Sequence, residues 1–217
     1  MNSPFIFDYT APQNAQENTQ YPAVFLLHGM GSNEKDLPGL LNNLHEPCHI
    51  FSLQGPIIQA PGYAFFTIEE FGKPDRLVFD KIVLHIKAFI EEAIEEYAID
   101  STKIFLLGFS QGAILTQTLS LILGSDKLAG AVVLSGYLPQ HVKDEYGKES
   151  VAGLPMLITH GKMDYVLPLQ WGENSRDFFK HQKALVNYME FDDGHGVTQA
   201  VQTEIIRFLS HHMQINS

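Results

Sequence analysis

From residue 22 onward, short apolar runs alternate with stretches whose apolar residues recur every three or four positions. Residues 23–28 (AVFLLH) form a run closed by Gly29, the pattern of a strand buried on both faces. Residues 50–53 read as a shorter strand, and 103–109 (KIFLLGF), 130–135 and 155–160 as three more. Between 81 and 97, Ile82, Ile86, Ile90 and Ile94 repeat at four-residue spacing, with Val83, Phe89 and Ala93 beside them. Glu91, Glu92, Glu95 and Glu96 take the other side, so the segment is an amphipathic helix covering a sheet. Residues 112–123 are apolar nearly all round and end at Gly124, which predicts a buried helix with a glycine C-cap. Pro168 opens a helix over 169–180, and 187–191 alternate as a half-exposed strand. The final helix spans 198–211, with Val201, Ile205, Phe208 and Leu209 facing inward. Ahead of all these, 4–9 is strand-like. The polar stretch 13–20 reads as the loop of an antiparallel hairpin with the next strand.

This alternation predicts an α/β fold: a mostly parallel central sheet, an N-terminal antiparallel hairpin and helices on both faces. With no internal repeat and no linker, residues 1–217 read as one domain, without room for an inserted cap. Ligands in such folds sit beyond the carboxyl ends of the strands.

Composition narrows the partners. At 45% hydrophobic and 18% charged, the chain is an ordinary globular mix rather than a disordered one. Its net charge of −11 argues against a nucleic-acid binder and against an anionic membrane surface. Cys48 is the single cysteine, cannot form an intrachain disulfide, and reads as a buried small hydrophobe. No apolar run approaches the ~18 residues that span a bilayer. No Lys or Arg precedes Lys35, as a signal peptide would require, and the C-terminus carries no lipidation box. The expectation is a cytoplasmic protein with no stable membrane association. No H-E-x-x-H or Cys/His ligand spacing occurs, so neither a metal nor a cofactor is expected.

The candidate chemistry begins at Gly108-Phe109-Ser110-Gln111-Gly112, a G-x-S-x-G where a buried strand meets a buried helix. A sharp strand-to-helix turn there would expose the Ser110 hydroxyl, with glycines relieving the crowding on either side. A serine nucleophile needs a base, and the base an orienting carboxylate, in the order Ser, Asp, His for this kind of sheet. His181, His195, His211 and His212 follow late enough, and His195 stands out in the loop Asp192-Asp193-Gly194-His195-Gly196 after the last strand. Asp164 hangs off the end of strand 155–160 and is the expected carboxylate, with Asp192 or Asp193 as the alternative. Two backbone N–H donors should hold the oxyanion: that of Gln111, at a helix N-terminus, and that of Met30 in His28-Gly29-Met30-Gly31. His28 reads as structural.

Together, LLHGMGSNEKDL, IFLLGFSQGA, the HGKMD segment and GHG resemble the phospholipase/carboxylesterase family of small α/β-hydrolases, which includes acyl-protein thioesterases. The resemblance covers nearly the whole chain from residue 22. It implies an α/β-hydrolase fold, a triad of Ser110, Asp164 and His195, and oxyanion donors at Met30 and Gln111. One departure is that many relatives show HG-x-x-D-P-V-V-P where this chain has Asp164-Tyr165-Val166-Leu167-Pro168.

For the substrate, 54–79 is a long irregular stretch rich in aromatics. Tyr63, Phe65, Phe66 and Phe71, with Val166, are expected to face substrate; the alternative is that the aromatics plug the core. Lys73 and Arg76 are the basic residues near enough to receive an anionic substrate. The leading reading is a serine carboxylesterase for small to medium acyl esters, with a small-molecule ester as partner and room for a homodimer. Activity on long acyl chains, as an acyl-protein thioesterase or lysophospholipase, is the second reading. A non-catalytic ligand-binding protein of the same shell is the third.

Overall fold

A computed structural model describes residues 5–214. Its strands begin with β1 (Phe7–Thr10), β2 (Tyr21–Leu27) and β3 (His49–Leu53). Four short ones follow: β4 (Ile57–Gln59), β5 (Gly62–Ala64), β6 (Ile68–Glu70) and β7 (Lys73–Pro74). Then come β8 (Ile99–Phe109), β9 (Gly130–Leu134), β10 (Pro155–Gly161) and β11 (Leu185–Phe191). The centre is a seven-stranded sheet in the spatial order β1-β3-β2-β8-β9-β10-β11, every neighbouring pair parallel except β1 with β3. Five α-helices accompany it among the described residues: α1 (Arg76–Glu96), α2 (Gln111–Leu123), α3 (Gln140–Glu145), α4 (Leu169–His181) and α5 (Gln199–Met213). The α/β architecture expected from the alternating pattern, and the α/β-hydrolase fold that the resemblance implies, are what the chain adopts. None of these helices is long and apolar enough to cross a membrane.

The central strands read as unbroken apolar runs because both faces are buried. Phe25, Leu27, Leu106 and Ile158 enter one core beneath α1, α2 and α4, whereas Val24, Leu26, Leu107 and Leu157 enter a second core under α5.

Three expectations change. The N-terminal strand is antiparallel as expected, but it forms no hairpin with β2; it pairs with β3 at the sheet edge. Its aromatic side chains decide this, since Tyr9 packs on Phe51 at 4.9 Å and Phe7 on Phe89 of α1 at 5.1 Å. Pro4, where that strand was expected to begin, lies outside the described residues. Second, α1 starts at Arg76 because Asp75 caps it, accepting the N–H groups of Leu77 and Val78. Third, the stretch before α1 is not irregular: β4 pairs with β5 and β6 with β7, making two small antiparallel hairpins.

The sheet registers pair Leu27 with Gly108, Phe109 with Leu134, and Leu134 with Thr159. The ends of β2, β8, β9 and β10 thus share one edge, and the candidate residues follow directly from it.

Candidate active site

Ser110 stands alone between β8 and α2 with φ 53° and ψ −112°, a conformation L-residues rarely adopt and one that costs about 1–3 kcal/mol. The flanking glycines make that turn sterically feasible. A Cβ on Gly108 would lie 2.2 Å from the carbonyl oxygen of Gly112, and one on Gly112 would lie 1.8 Å from that of Leu27. The Ser110 N–H donates to the Leu134 carbonyl at 2.9 Å, fixing the turn against the neighbouring strand.

Asp164 and His195 are brought together by stitching of the loops that leave β10 and β11. Lys162 and Met163 donate their N–H groups to the carbonyls of Phe191 and Asp193, at 2.9 and 3.0 Å. Gly161 leaves so little room that a Cβ there would meet the Gly194 carbonyl oxygen at 2.2 Å. His195 then reaches Ser110 Oγ with Nε2 at 2.8 Å and Asp164 Oδ2 with Nδ1 at 2.7 Å. Its ring rests on Phe109, centroid to centroid 5.0 Å. The other carboxylate oxygen of Asp164 accepts the N–H groups of Val166 and Leu167, both at 2.8 Å. The alternatives for the carboxylate point elsewhere: Asp192 pairs with Lys162 at 2.7 Å and Asp193 accepts the N–H of Gly194.

Met30 and Gln111 lie on the two segments beside the hydroxyl, and neither backbone N–H meets an acceptor among the described residues. His28 holds the first segment. Its Nδ1–H donates to the Gly29 carbonyl at 2.7 Å while Nε2 accepts the Gly55 N–H at 2.9 Å. Burial keeps that imidazole below its ordinary pKa, consistent with a neutral ring that both donates and accepts. Cys48 is buried, and burial pushes its thiol up to about 12.

Two side-chain roles that the motifs do not give support this site. The Gln111 side chain accepts from the Phe65 N–H at 2.6 Å and donates to the Phe66 carbonyl at 2.8 Å, clamping the end of the first hairpin. His160, fully buried, donates Nε2–H to the Leu167 carbonyl at 2.9 Å with Asp164 Oδ2 at 3.4 Å. Its position at the carboxyl end of β10 is the signal that could have marked it.

The expected aromatic wall needs correction. Phe65 and Phe66 are in the core, the first against His28 and the second against Phe79 at 5.0 Å. Their strand-end backbone is held by Gln111, which turns both rings inward. Tyr63 is half-buried, its backbone bridged to Ser32. Phe71 is exposed and leans on Trp171 at 4.8 Å, and Val166 is exposed. The basic residues expected to receive an anion are already neutralised: Lys73 pairs with Glu70, and Arg76 with Asp80 and Glu145.

A hydroxyl, an imidazole and a carboxylate joined in this order can pass a proton from oxygen to nitrogen. Residues 13–217 match the family model described as Phospholipase/Carboxylesterase. The chain belongs to this family. Among its phospholipase/carboxylesterase relatives, an acyl-protein thioesterase 1 of Candida albicans is 30% identical over 86% of this chain and 90% of its own length. An acyl-protein thioesterase 1 homolog of Dictyostelium discoideum is 32% identical over 63% of this chain, a match spanning 60% of that relative. A Bacillus cereus carboxylesterase shares the fold with TM-score 0.85 at 22% identity, over 97% of this chain and 96% of its own. Membership makes this chain a hydrolase of the carboxylesterase type.

Proposed function

We propose that the chain, as one domain, is a serine carboxylesterase acting on small to medium acyl esters, with Ser110, His195 and Asp164 as its triad. The observation carrying this reading is the continuous pair of hydrogen bonds, 2.8 Å from Ser110 to His195 and 2.7 Å from His195 to Asp164. His195 takes the hydroxyl proton as Ser110 attacks the ester carbonyl, and the N–H groups of Met30 and Gln111 receive the oxyanion. Collapse expels the alcohol with the proton from His195, leaving an acyl-serine. Water, activated by the same imidazole, then releases the acid. Asp164, held by two backbone N–H groups, keeps the ring in the tautomer whose Nε2 is free to accept. The cycle needs no cofactor. Tyr63, Phe71 and Val166 are the members of the expected wall with surface left to meet substrate.

Ser110→Ala tests the reading: kcat on p-nitrophenyl butyrate should fall about 10⁴-fold or more with the fold intact. A variant that keeps a tenth or so of wild-type turnover would overturn it.

The second reading, cleavage of long-chain thioesters or lysophospholipids, is favoured by the thioesterase names of the curated relatives and by exposed Met30, Met163 and Phe71. A kcat/KM that rises from butyrate to palmitate esters would move the assignment there.

A further inference from the structure

At the carboxyl-end edge of the sheet lies a depression of about 210 Å³, lined among others by Gly72, Tyr137, Gln140, Lys143, Trp171 and Asn174. Its walls come from the segment that follows β9, from α3 and α4, and from the turn between β6 and β7. Tyr137 is three residues beyond Leu134, whose carbonyl accepts the Ser110 N–H, and three residues span at most about 11 Å. Between them, a Cβ on Gly136 would lie 2.6 Å from the Cβ of Ala113, so this segment runs against the first turn of α2. On the opposite wall, Trp171 stands in the first turn of α4, directly after the loop Asp164-Tyr165-Val166-Leu167-Pro168. Its N–H donates to the Pro168 carbonyl at 2.9 Å. The depression is therefore bounded by the loops that follow β9 and β10, at the sheet edge from which Ser110 also projects.

Three of its polar side chains, Lys143, Asn174 and Tyr137, carry donors that meet no acceptor among the described residues. Lys143 is the ionisable cation of the lining. It has no carboxylate within ion-pair distance among the described residues, and its Nζ sits 5.9 Å from the centre of the Phe178 ring. The adjacent carboxylate, Asp144, is occupied by Gln140 Nε2 at 2.9 and 3.0 Å. Asn174 accepts from Gln170 through Oδ1, which leaves its NH₂ free, and the Tyr137 hydroxyl makes no hydrogen bond among the described residues. The rings of Tyr137 and Trp171, 4.6 Å apart, supply an apolar flank. By contrast Lys73, Arg76 and Lys162 at this end of the molecule are all ion-paired.

We propose that this depression binds the carboxylate of an ester substrate carrying a second acid group, a hemiester of a short dicarboxylic acid. The free carboxylate meets Lys143, Asn174 and Tyr137, the methylene spacer lies on the two rings, and the ester carbonyl reaches Ser110. Hydrolysis breaks the acyl C–O bond. Water supplies hydroxyl to the acyl carbon and hydrogen to the departing alcohol, and the new carboxylic acid releases one proton at neutral pH. The proposal rests on the serine esterase reading for its reaction, but its binding step can be measured separately.

The test compares p-nitrophenyl hemiglutarate with p-nitrophenyl valerate, which differ at the far end of the acyl chain. In Lys143→Met the ratio of kcat/KM for hemiglutarate over valerate should fall about tenfold, through the hemiglutarate KM, and Lys143→Arg should restore most of it. Calorimetric titration of the wild-type protein with glutarate should show binding that Lys143→Met loses. An unchanged ratio in Lys143→Met, with valerate still hydrolysed, overturns the subsite and leaves the esterase reading standing. If the wild type hydrolyses neither ester, the esterase reading falls, and the glutarate titration decides the subsite alone. Binding of inorganic phosphate without glutarate would overturn the carboxylate assignment.

Discussion

Replacing Asp164 by asparagine exchanges a single oxygen for an NH₂ group, and the surrounding hydrogen bonds dictate where that group goes. Oδ1 accepts the N–H groups of Val166 and Leu167, both at 2.8 Å. If the amide turned its NH₂ toward them, the buried Leu167 N–H and the part-buried Val166 N–H would lose their acceptor, at a cost of about 1–3 kcal/mol for the buried one alone. The NH₂ therefore occupies the place of Oδ2, 2.7 Å from Nδ1 of His195. A donor there requires a bare Nδ1 and moves the ring proton to Nε2, which lies 2.8 Å from Ser110 Oγ. The imidazole then donates to the hydroxyl it should deprotonate. His160 keeps its bond to the Leu167 carbonyl, so the loop itself stays in place.

Wrong-tautomer substitutions of this kind cost about 10⁴-fold in kcat, or roughly 5 kcal/mol. Saturation kinetics on p-nitrophenyl butyrate at neutral pH should show that loss in kcat with KM little changed, and circular dichroism should show an unaltered fold. Asp192→Asn and Asp193→Asn should retain wild-type kcat, because those carboxylates serve Lys162 and Gly194. A folded Asp164→Asn variant whose kcat stays within about tenfold of wild type would refute the tautomer argument.

Two further outcomes concern stability. Gln111→Ala removes both partners of the Phe65 N–H and Phe66 carbonyl, and should lower unfolding stability by about 2–5 kcal/mol in urea titrations; a loss below about 1 kcal/mol would mean water replaces the clamp freely. His28, His49, His141 and His212 are all held below the ordinary histidine pKa, burial being the largest cause in each. Below about pH 6.5 the unfolded chain thus binds more protons than the folded one, so stability should drop as pH falls through that value; urea midpoints that stay level on acidification would contradict this.

The parts of this site that could be read in the sequence are those with a local steric or topological cause. Gly108 and Gly112 flank Ser110 because a Cβ at either position would collide with backbone, and such a cause is visible in five residues. Asp164 and His195 follow from their places after successive strands. The first strand's partner was not legible, because contacts of Phe7 and Tyr9 with Phe51 and Phe89 decide it, and these are distant in sequence. Nor was the inward turn of Phe65 and Phe66: an aromatic cluster fits a wall and a core equally well until Gln111 is seen to hold their backbone. The short helix α3 buries Val142 alone, too little to leave a periodic signal.

The departure at Asp164-Tyr165-Val166-Leu167-Pro168 shows how such a loop can vary without losing its carboxylate. Tyr165 is 94% exposed, and its N–H meets no acceptor among the described residues, so a proline there forfeits no bond. Positions 166 and 167 differ, since their N–H groups are the two donors that fix Asp164 Oδ1. Proline at either would remove a donor from a buried carboxylate and free it to rotate away from His195. Pro168 is tolerated again, because it precedes the first turn of α4, where helix N–H groups have no partner within the helix. The loop therefore constrains backbone donors more tightly than side chains, and residue 165 is free to be tyrosine or proline.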